Sequence, residues 1–333
     1  MAMKALSEYG ITKYRMKFVI YAGNIIFQVF DLSNTANKTD LTLFEPNQYL
    51  LRIHDKREQN TNAIKLEMEW LFAMRQKSQL QVPEPIRALN GNLVVQLSHP
   101  GLPEIRDCTM LRWLKGRRLI SNIRPYHYQA QGRIMAQLHN FAQTWKVPKG
   151  LSKRKFDYNG LFKDSAGANI PNSDVWLLLP NKLQQPYKVV AQRNKKLMTK
   201  LGKGPKVYGL IHGDCGVDAN VLFSNKEARI IDFDGSGFGY YLYDLALALE
   251  HCWDEKEYPK FIEALLKGYT EHRNLPEDHL KQIDILRAGF YVYMGLWTIA
   301  IDQTHPNSPN KEARHTKWLD YGLRFINKVL DKY

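Results

Sequence analysis

β-branched and aromatic residues fill positions 17–31 (KFVIYAGNIIFQVFD), broken only by Ala22-Gly23-Asn24, and predict two strands joined by a tight turn. Residues 33–40 are polar and predict an exposed loop, and residues 48–54 (QYLLRIH) a third strand. Ile64, Met68, Leu71 and Phe72 then recur at helical spacing. Val82-Pro83-Glu84-Pro85 closes that helical region and opens a strand. Asn90-Gly91-Asn92 reads as a hairpin turn between Ile86 and residues 93–95, and residues 108–113 as a further strand. Beyond Gly116 the period is mostly helical. Ile134, Leu138, Phe141 and Trp145 mark one amphipathic helix, and Val189, Arg193, Leu197 and Leu201 a second, which Gly202 stops. Residues 146–172 read as loop, and residues 258–272, 279–303 and 311–332 as three more helices. The pattern predicts an α+β chain: a small antiparallel sheet with one helix over residues 1–114, ending at a hinge, then a larger helical part over residues 115–333.

Composition narrows this picture. With 333 residues, 44% of them apolar, the chain can build two lobes around a sizeable core. Cys108, Cys215 and Cys252 are too scattered for a disulfide framework or a zinc site, which suggests a reduced, cytoplasmic compartment. The charged N-terminus has no apolar core of the kind a signal peptide needs. The longest charge-free stretch, residues 288–301, is too short to span a bilayer and reads as a buried helix. The net charge of +14 is concentrated over residues 146–206. Either this is a solvated basic face that helps attract a polyanionic nucleotide, or it contacts nucleic acid or an anionic membrane. No zinc finger, helix-turn-helix or aromatic RNA-binding motif accompanies it, so no specific nucleic-acid partner is expected.

Residues 209–249 carry the chemistry. Leu210-Ile211 leads into His212-Gly213-Asp214, and Ile230-Ile231 into Asp232-Phe233-Asp234. Between them lie Asn220, a strand over residues 221–223 and a polar turn over residues 224–227. Phosphoryl transfer requires a carboxylate to take the proton of the attacking hydroxyl. It also requires an amide oxygen and a second carboxylate to hold Mg²⁺ against the phosphates. A hairpin bearing Asp, Asn and Asp in this order meets both needs. Arg52 ends the third strand: it either grips phosphates and pairs with Glu67 or Glu69 on the next helix, or finishes an edge strand in solvent. Gly23 either lets a backbone approach phosphates closely or makes an ordinary turn.

These residues resemble the aminoglycoside phosphotransferase / choline kinase-like family, which has the protein-kinase-like two-lobe fold. The resemblance covers most of the chain. Its markers are Tyr49-Leu50-Leu51-Arg52-Ile53, Leu66-Glu67-Met68-Glu69-Trp70-Leu71, residues 80–85, 111–116 and 136–139, Ile211-His212-Gly213-Asp214, Ile231-Asp232-Phe233-Asp234 and Tyr243-Asp244-Leu245-Ala246. The family includes kinase-like homoserine kinases and hydroxylysine kinases. The resemblance implies an ATP- and Mg²⁺-dependent phosphotransferase acting on a hydroxyl of a small molecule. A protein Ser/Thr kinase of the same fold and a catalytically silent nucleotide-binding protein are the alternatives. It makes Asp214 the catalytic base, Asp232 the principal Mg²⁺ ligand and Asn220 the second metal's ligand. Asp234 is a further ligand or a solvated turn acid. Arg52 and Glu67 become the phosphate clamp, with Gly23 above the nucleotide. Asp244 would brace the catalytic loop through backbone N–H groups, or cap the helix after it.

The chain departs from the family at one point. The family's Asn stands five positions after the catalytic Asp; here position 219 is Ala, and Asn220 is the sixth. Either a bulge at Gly216 restores the geometry, or Asp218 supplies a metal oxygen, or the second metal is lost. Glu250, Asp254, Glu255, Glu257 and Asp302 are the acids open to a cationic acceptor, though the basic flank argues against an aminoglycoside. Trp253, Tyr291, Tyr293 and Trp297 either cage a quaternary ammonium group or pack the core.

Overall fold

The computed structural model describes residues 1–33, 40–55, 59–164, 170–306 and 310–333. Most of the polar loop expected at residues 33–40 lies outside them. The chain begins with α1 (Ala2–Glu8), β1 (Tyr14–Ala22), β2 (Asn24–Asp31), β3 (Phe44–Ile53), α2 (Thr61–Lys77), β4 (Val94–His99), β5 (Leu102–Leu114) and β6 (Arg117–Arg118). It continues through α3 (Pro125–Thr144), β7 (Lys155–Phe156), α4 (Tyr158–Phe162), α5 (Asn172–Leu177), α6 (Asn181–Leu201), β8 (Tyr208–Ile211), β9 (Val221–Ser224) and β10 (Glu227–Ile230). It closes with β11 (Gly237–Tyr240), α7 (Tyr241–Ala248), α8 (Tyr258–Thr270), α9 (His279–Thr304), α10 (Lys311–Arg314) and α11 (Gly322–Lys332). Two compact units result. The first takes Met1–Ile123, Trp145–Lys153 and Asp218–Asp234; the second takes Arg124–Thr144, Arg154–Val217 and Gly235–Tyr333.

The first unit is built on an antiparallel sheet in the order β1-β2-β3-β5-β4. Gly23 turns β1 into β2 with a left-handed backbone, φ 72°, which glycine adopts without a Cβ penalty. Leu6, Val29, Leu51, Cys108 and Met110 pack one face. Helix α1, too short to leave a periodic signal in the sequence, is anchored there by the Tyr9 hydroxyl, which donates to the Leu93 and Cys108 carbonyls. Helix α2 starts where the Asn60 side chain accepts the Ala63 N–H. Its buried face holds Ile64, Leu66, Met68, Trp70 and Leu71, and Glu67 lies among them. Pro85 makes only an isolated bridge to Leu111, so no strand follows Val82 and β4 pairs with β5 instead.

The first unit runs on past residue 114 to Ile123. Arg117 and Arg118 of β6 pair with Phe223 and Leu222, which places the β9–β10 hairpin in the first unit. That hairpin closes on Asn225 and Lys226, both with positive φ, the backbone of a type I′ turn. Arg229 ties it down by donating to Gln81 Oε1 at 2.8 Å and to the carbonyls of Thr42, Leu43 and Lys115.

In the second unit, α3 and α8 meet at Gly132 and Gly268, where any Cβ would run into the facing backbone. A small sheet, β7-β11-β8, supports the loop after β8. Helix α6 begins eight residues before Val189, and Gly202 ends it with φ 64°. Residues 311–332 are helical as expected, but the run passes through a π-helical turn, His315–Tyr321. The charge-free stretch 288–301 lies within α9, and no described helix is long and apolar enough to cross a membrane.

Candidate active site

In the first unit the predicted residues gather around Arg52. Its guanidinium is 3% exposed, with Nη1 2.9 Å from Glu67 Oε1 and Nη2 3.2 Å from Asp232 Oδ1. Burial alone would lower the Arg52 pKa, but Glu67, Asp232 and Asp234 together raise it above the ordinary value. A permanent charge held by a buried carboxylate from one side is thus presented to a second carboxylate. Glu69 lies on the same helix but lines a separate cavity of about 530 Å³ with Glu8, Lys65 and Asn92.

Asn220 and Asp232 leave the same end of the β9–β10 hairpin. The ladder ends at Val221↔Ile230, and the Asn220 carbonyl extends it by accepting the Ile231 N–H at 2.9 Å. Asp232 follows with a left-handed backbone, φ 64°, and its side chain is 41% exposed. Phe233 is buried edge-on against Trp70. The Asp234 carboxylate accepts from Asn24 Nδ2 at 3.2 Å, and Asn24 Oδ1 accepts the Asp55 N–H. Asn24 follows Gly23 directly, so the turn of the β1–β2 hairpin is tied to the acidic turn.

Three supports of that turn carry no motif in the sequence. Asn24 is one. Gln59 donates to the Asp234 carbonyl at 2.5 Å, and Lys153 donates to the carbonyls of Phe233 and Asp234 at 3.0 and 3.2 Å. Lys153 belongs to the stretch expected to be a solvated basic face; it is buried instead, because two carbonyls and Glu67 surround its ammonium group. Their partners, the Asp234 carboxylate and main-chain carbonyls, lie far along the chain, which no spacing rule reveals.

The second unit holds the Asp214 loop. Asp244 is fully buried and accepts the His212 N–H at 2.9 Å, the Gly213 N–H at 2.8 Å and His139 Nε2 at 3.0 Å. It lies within α7, in the first turn, and not at a cap before Leu245. Burial would raise its pKa; the hydrogen bond from His139 and the loop N–H groups hold it below the usual carboxylate range. Burial keeps His139 below the usual imidazole value, so a neutral ring donates to Asp244 while Nδ1 meets the Tyr269 hydroxyl. His212 is buried, and its Nδ1 accepts the Asp214 N–H at 3.3 Å. Gln131 holds the Cys215 carbonyl at 2.6 Å. These contacts fix the backbone on both sides of Asp214, whose own side chain is exposed.

The left-handed glycine of this loop is Gly213, φ 77°, where the sequence suggested Gly216. A Cβ on Gly213 would come within 2.8 Å of the Gly235 carbonyl and of the Phe156 ring. The extra position before Asn220 falls in a turn over residues 217–220 that leads into β9. In that turn Asp218 Oδ1 is buried without a hydrogen-bond partner. Asp218, Asn220 and Asp232 each carry a hard oxygen donor. Among the described residues no three His, Cys, Asp or Glu gather at one point. Carboxylate and amide oxygens are the donor types that Mg²⁺ takes, one or two carboxylates with phosphate and water completing its shell.

Elsewhere in the second unit, Glu250, Asp254, Glu312, Lys317, Tyr321 and Arg324 line a cavity of about 700 Å³. Tyr291 is core, its hydroxyl donating to the Glu250 carbonyl. Asp302 is engaged by Arg314 and His315.

The family model described as "Phosphotransferase enzyme family" matches residues 27–279. A homoserine kinase of Bartonella henselae is 27% identical over 218 residues, which is 62% of this chain and 60% of that one. The chain thus aligns with less than two thirds of that relative's length. A microcompartment-associated aminopropanol kinase shares the fold with a TM-score of 0.76 and 22% identity, over 98% of this chain and 95% of that one. An amicoumacin kinase, solved with AMP-PNP and Ca²⁺, gives a TM-score of 0.73 and 18% identity over 100% and 93% of the two chains.

Proposed function

The chain belongs to the phosphotransferase enzyme family, and on that premise we propose that it moves the γ-phosphate of ATP, with Mg²⁺, to a hydroxyl of a small molecule. The observation that carries this reading is the buried Arg52–Glu67 pair reaching half-exposed Asp232 at the hairpin end that also carries Asn220. Mg²⁺ would supply charge neutralisation at the phosphates. Asp232 would be its principal carboxylate, with Asn220 and Asp218 the further oxygens. Arg52 binds the nucleotide phosphates, and Glu67 fixes the guanidinium that does so. Asn24 holds Asp234, and through it the Gly23 turn, in place.

Asp214 is the base. It accepts a hydrogen bond from the acceptor hydroxyl, orients it, and takes its proton as the new O–P bond forms and the bond to ADP breaks. An exposed carboxylate on a backbone pinned by Asp244 and His212 fits that work, most of which is positioning.

Amino alcohols and hydroxy amino acids head the list of acceptors to try, since relatives with those substrates in their names align along most of the chain. The test is ADP release across a panel of such compounds, with and without Mg²⁺. One acceptor should raise turnover at least tenfold over the acceptor-free rate, and chelation should abolish it. Nucleotide that neither binds nor turns over with any acceptor would sink the proposal. Label passing to a protein rather than a metabolite would replace it with a protein kinase.

A further inference from the structure

Residues 145–153 belong to the first unit, although the elements on either side of them, α3 and β7, belong to the second. The last residue of this inserted segment is Lys153, whose side chain is 2% exposed. Burying an ammonium group is costly unless it is paired and hydrogen-bonded. Here Nζ donates to the Phe233 and Asp234 carbonyls and lies 3.7 Å from Glu67 Oε2. Arg52 occupies the other oxygen, Oε1, of the same carboxylate. Glu67 therefore stands between two cations.

The consequence concerns the turn over residues 232–234. Its left-handed start at Asp232 is a conformation that persists only when its surroundings enforce it. Lys153 draws two successive carbonyls of the turn inward, while the Asp232 carboxylate remains 41% exposed. Arg52 and Lys153 also offset part of the charge of three neighbouring carboxylates, Glu67, Asp232 and Asp234. The cluster stays short of cations by one charge, a balance that favours a bound divalent ion without scattering the acids when none is there.

We propose that Lys153 is a positioning residue for the metal-binding turn, holding the Phe233 and Asp234 carbonyls and the second oxygen of Glu67 so that the Asp232 carboxylate is set for the ion. The proposal rests on the Mg²⁺–nucleotide reading above. Lys153 touches neither substrate nor metal; it acts through the turn.

The test is calorimetric titration of ATP over a range of Mg²⁺ concentrations into the wild type, Lys153→Met and Lys153→Arg, with thermal melts of the same samples. For Lys153→Met the Mg²⁺ needed for half-saturation should rise roughly tenfold, the size of one lost charge-assisted hydrogen bond. Lys153→Arg should recover most of that loss. Where turnover is measurable, kcat should fall while the acceptor KM stays within about twofold, because the acceptor does not meet this residue. If Lys153→Met does not fold, Lys153→Gln is read in its place, since it keeps one donor and drops the charge; a smaller shift in the same direction is expected. Mg²⁺ dependence equal to wild type overturns the proposal. So does failure of both neutral variants to fold, which would make Lys153 a support of the unit as a whole. If the wild type itself binds no Mg²⁺–ATP, the functional reading falls and takes this proposal with it, a result distinct from either of those.

Discussion

Asp232 combines two demands that few side chains meet together. Its backbone sits at φ 64°, where Asn and Asp are tolerated and bulkier residues are not, and under the proposed function its carboxylate also faces an ion. Asp232→Asn separates the two, because it keeps the conformational tolerance and removes the charge. Mg²⁺-dependent transfer should fall by ~10²-fold or more, with the melting temperature close to wild type. Wild-type transfer in this variant would remove Asp232 from the metal site. Asp214, Asp232, Asn220, Arg52 and Glu67 were named from the sequence through the family motifs that hold them, and of these the structure joins Arg52 to Glu67 and Asp232. Asn24, Gln59 and Lys153 were not. Each acts on a side chain or carbonyl more than 70 positions away, and nothing local distinguishes these three from surface polar residues.

At the level of elements, the loop after β8 is the most constrained piece of the site. Gly213 is left-handed and packed against both the Gly235 carbonyl and Phe156, while its N–H and that of His212 go to Asp244. Gly213→Ala should cost about 1–2 kcal/mol for the backbone conformation alone, and more for the overlap. A lower urea midpoint and a large loss of transfer are expected together; an unchanged midpoint would mean that the loop relaxes freely. Most strands of the five-stranded sheet and the long helices followed from the residue pattern; β6, β7, α4 and β11 are too short to show one, and β7 and α4 lie in the stretch 146–172 expected to be loop. What periodicity hid was local: α1 is too short to show a repeat, residues 82–85 look strand-like but find only one bridge partner, and the π-helical turn at 315–321 lies inside a run that reads as one helix. Gly216 attracted the expectation of a bulge because glycine permits one, but permission does not decide which glycine the packing uses.

For the whole molecule, the division into units came from pairings that no stretch of sequence contains. The contact of β6 with β9 spans about a hundred residues and carries the hairpin bearing Asn220 and Asp232 into the first unit. Each unit also buries a histidine. His54 is held well below the usual imidazole pKa by burial, with Arg52 and Lys153 adding to it, and His139 is lowered by burial in spite of Asp244. A depressed value means that the unfolded chain binds the extra proton. Stability is therefore full above about pH 6.5 and falls as the pH drops below it, by at most ~1.4 kcal/mol per pH unit for each histidine. Asp244, also depressed, adds the same sign at still lower pH. Melting temperatures should hold between pH 7.5 and about 6.5 and decline from there to pH 5.5, and a flat profile down to 5.5 would contradict the neutral assignment of both rings. The central claim is phosphoryl transfer with Asp214 as base, and transfer of label from ATP marked at the γ-phosphate tests it most directly, comparing wild type with Asp214→Asn across the acceptor panel. The account predicts a labelled small molecule with the wild type and a loss of ~10²–10⁴-fold in the variant, with nucleotide binding retained. Equal labelling by the two proteins, or none by either with nucleotide bound, would contradict it.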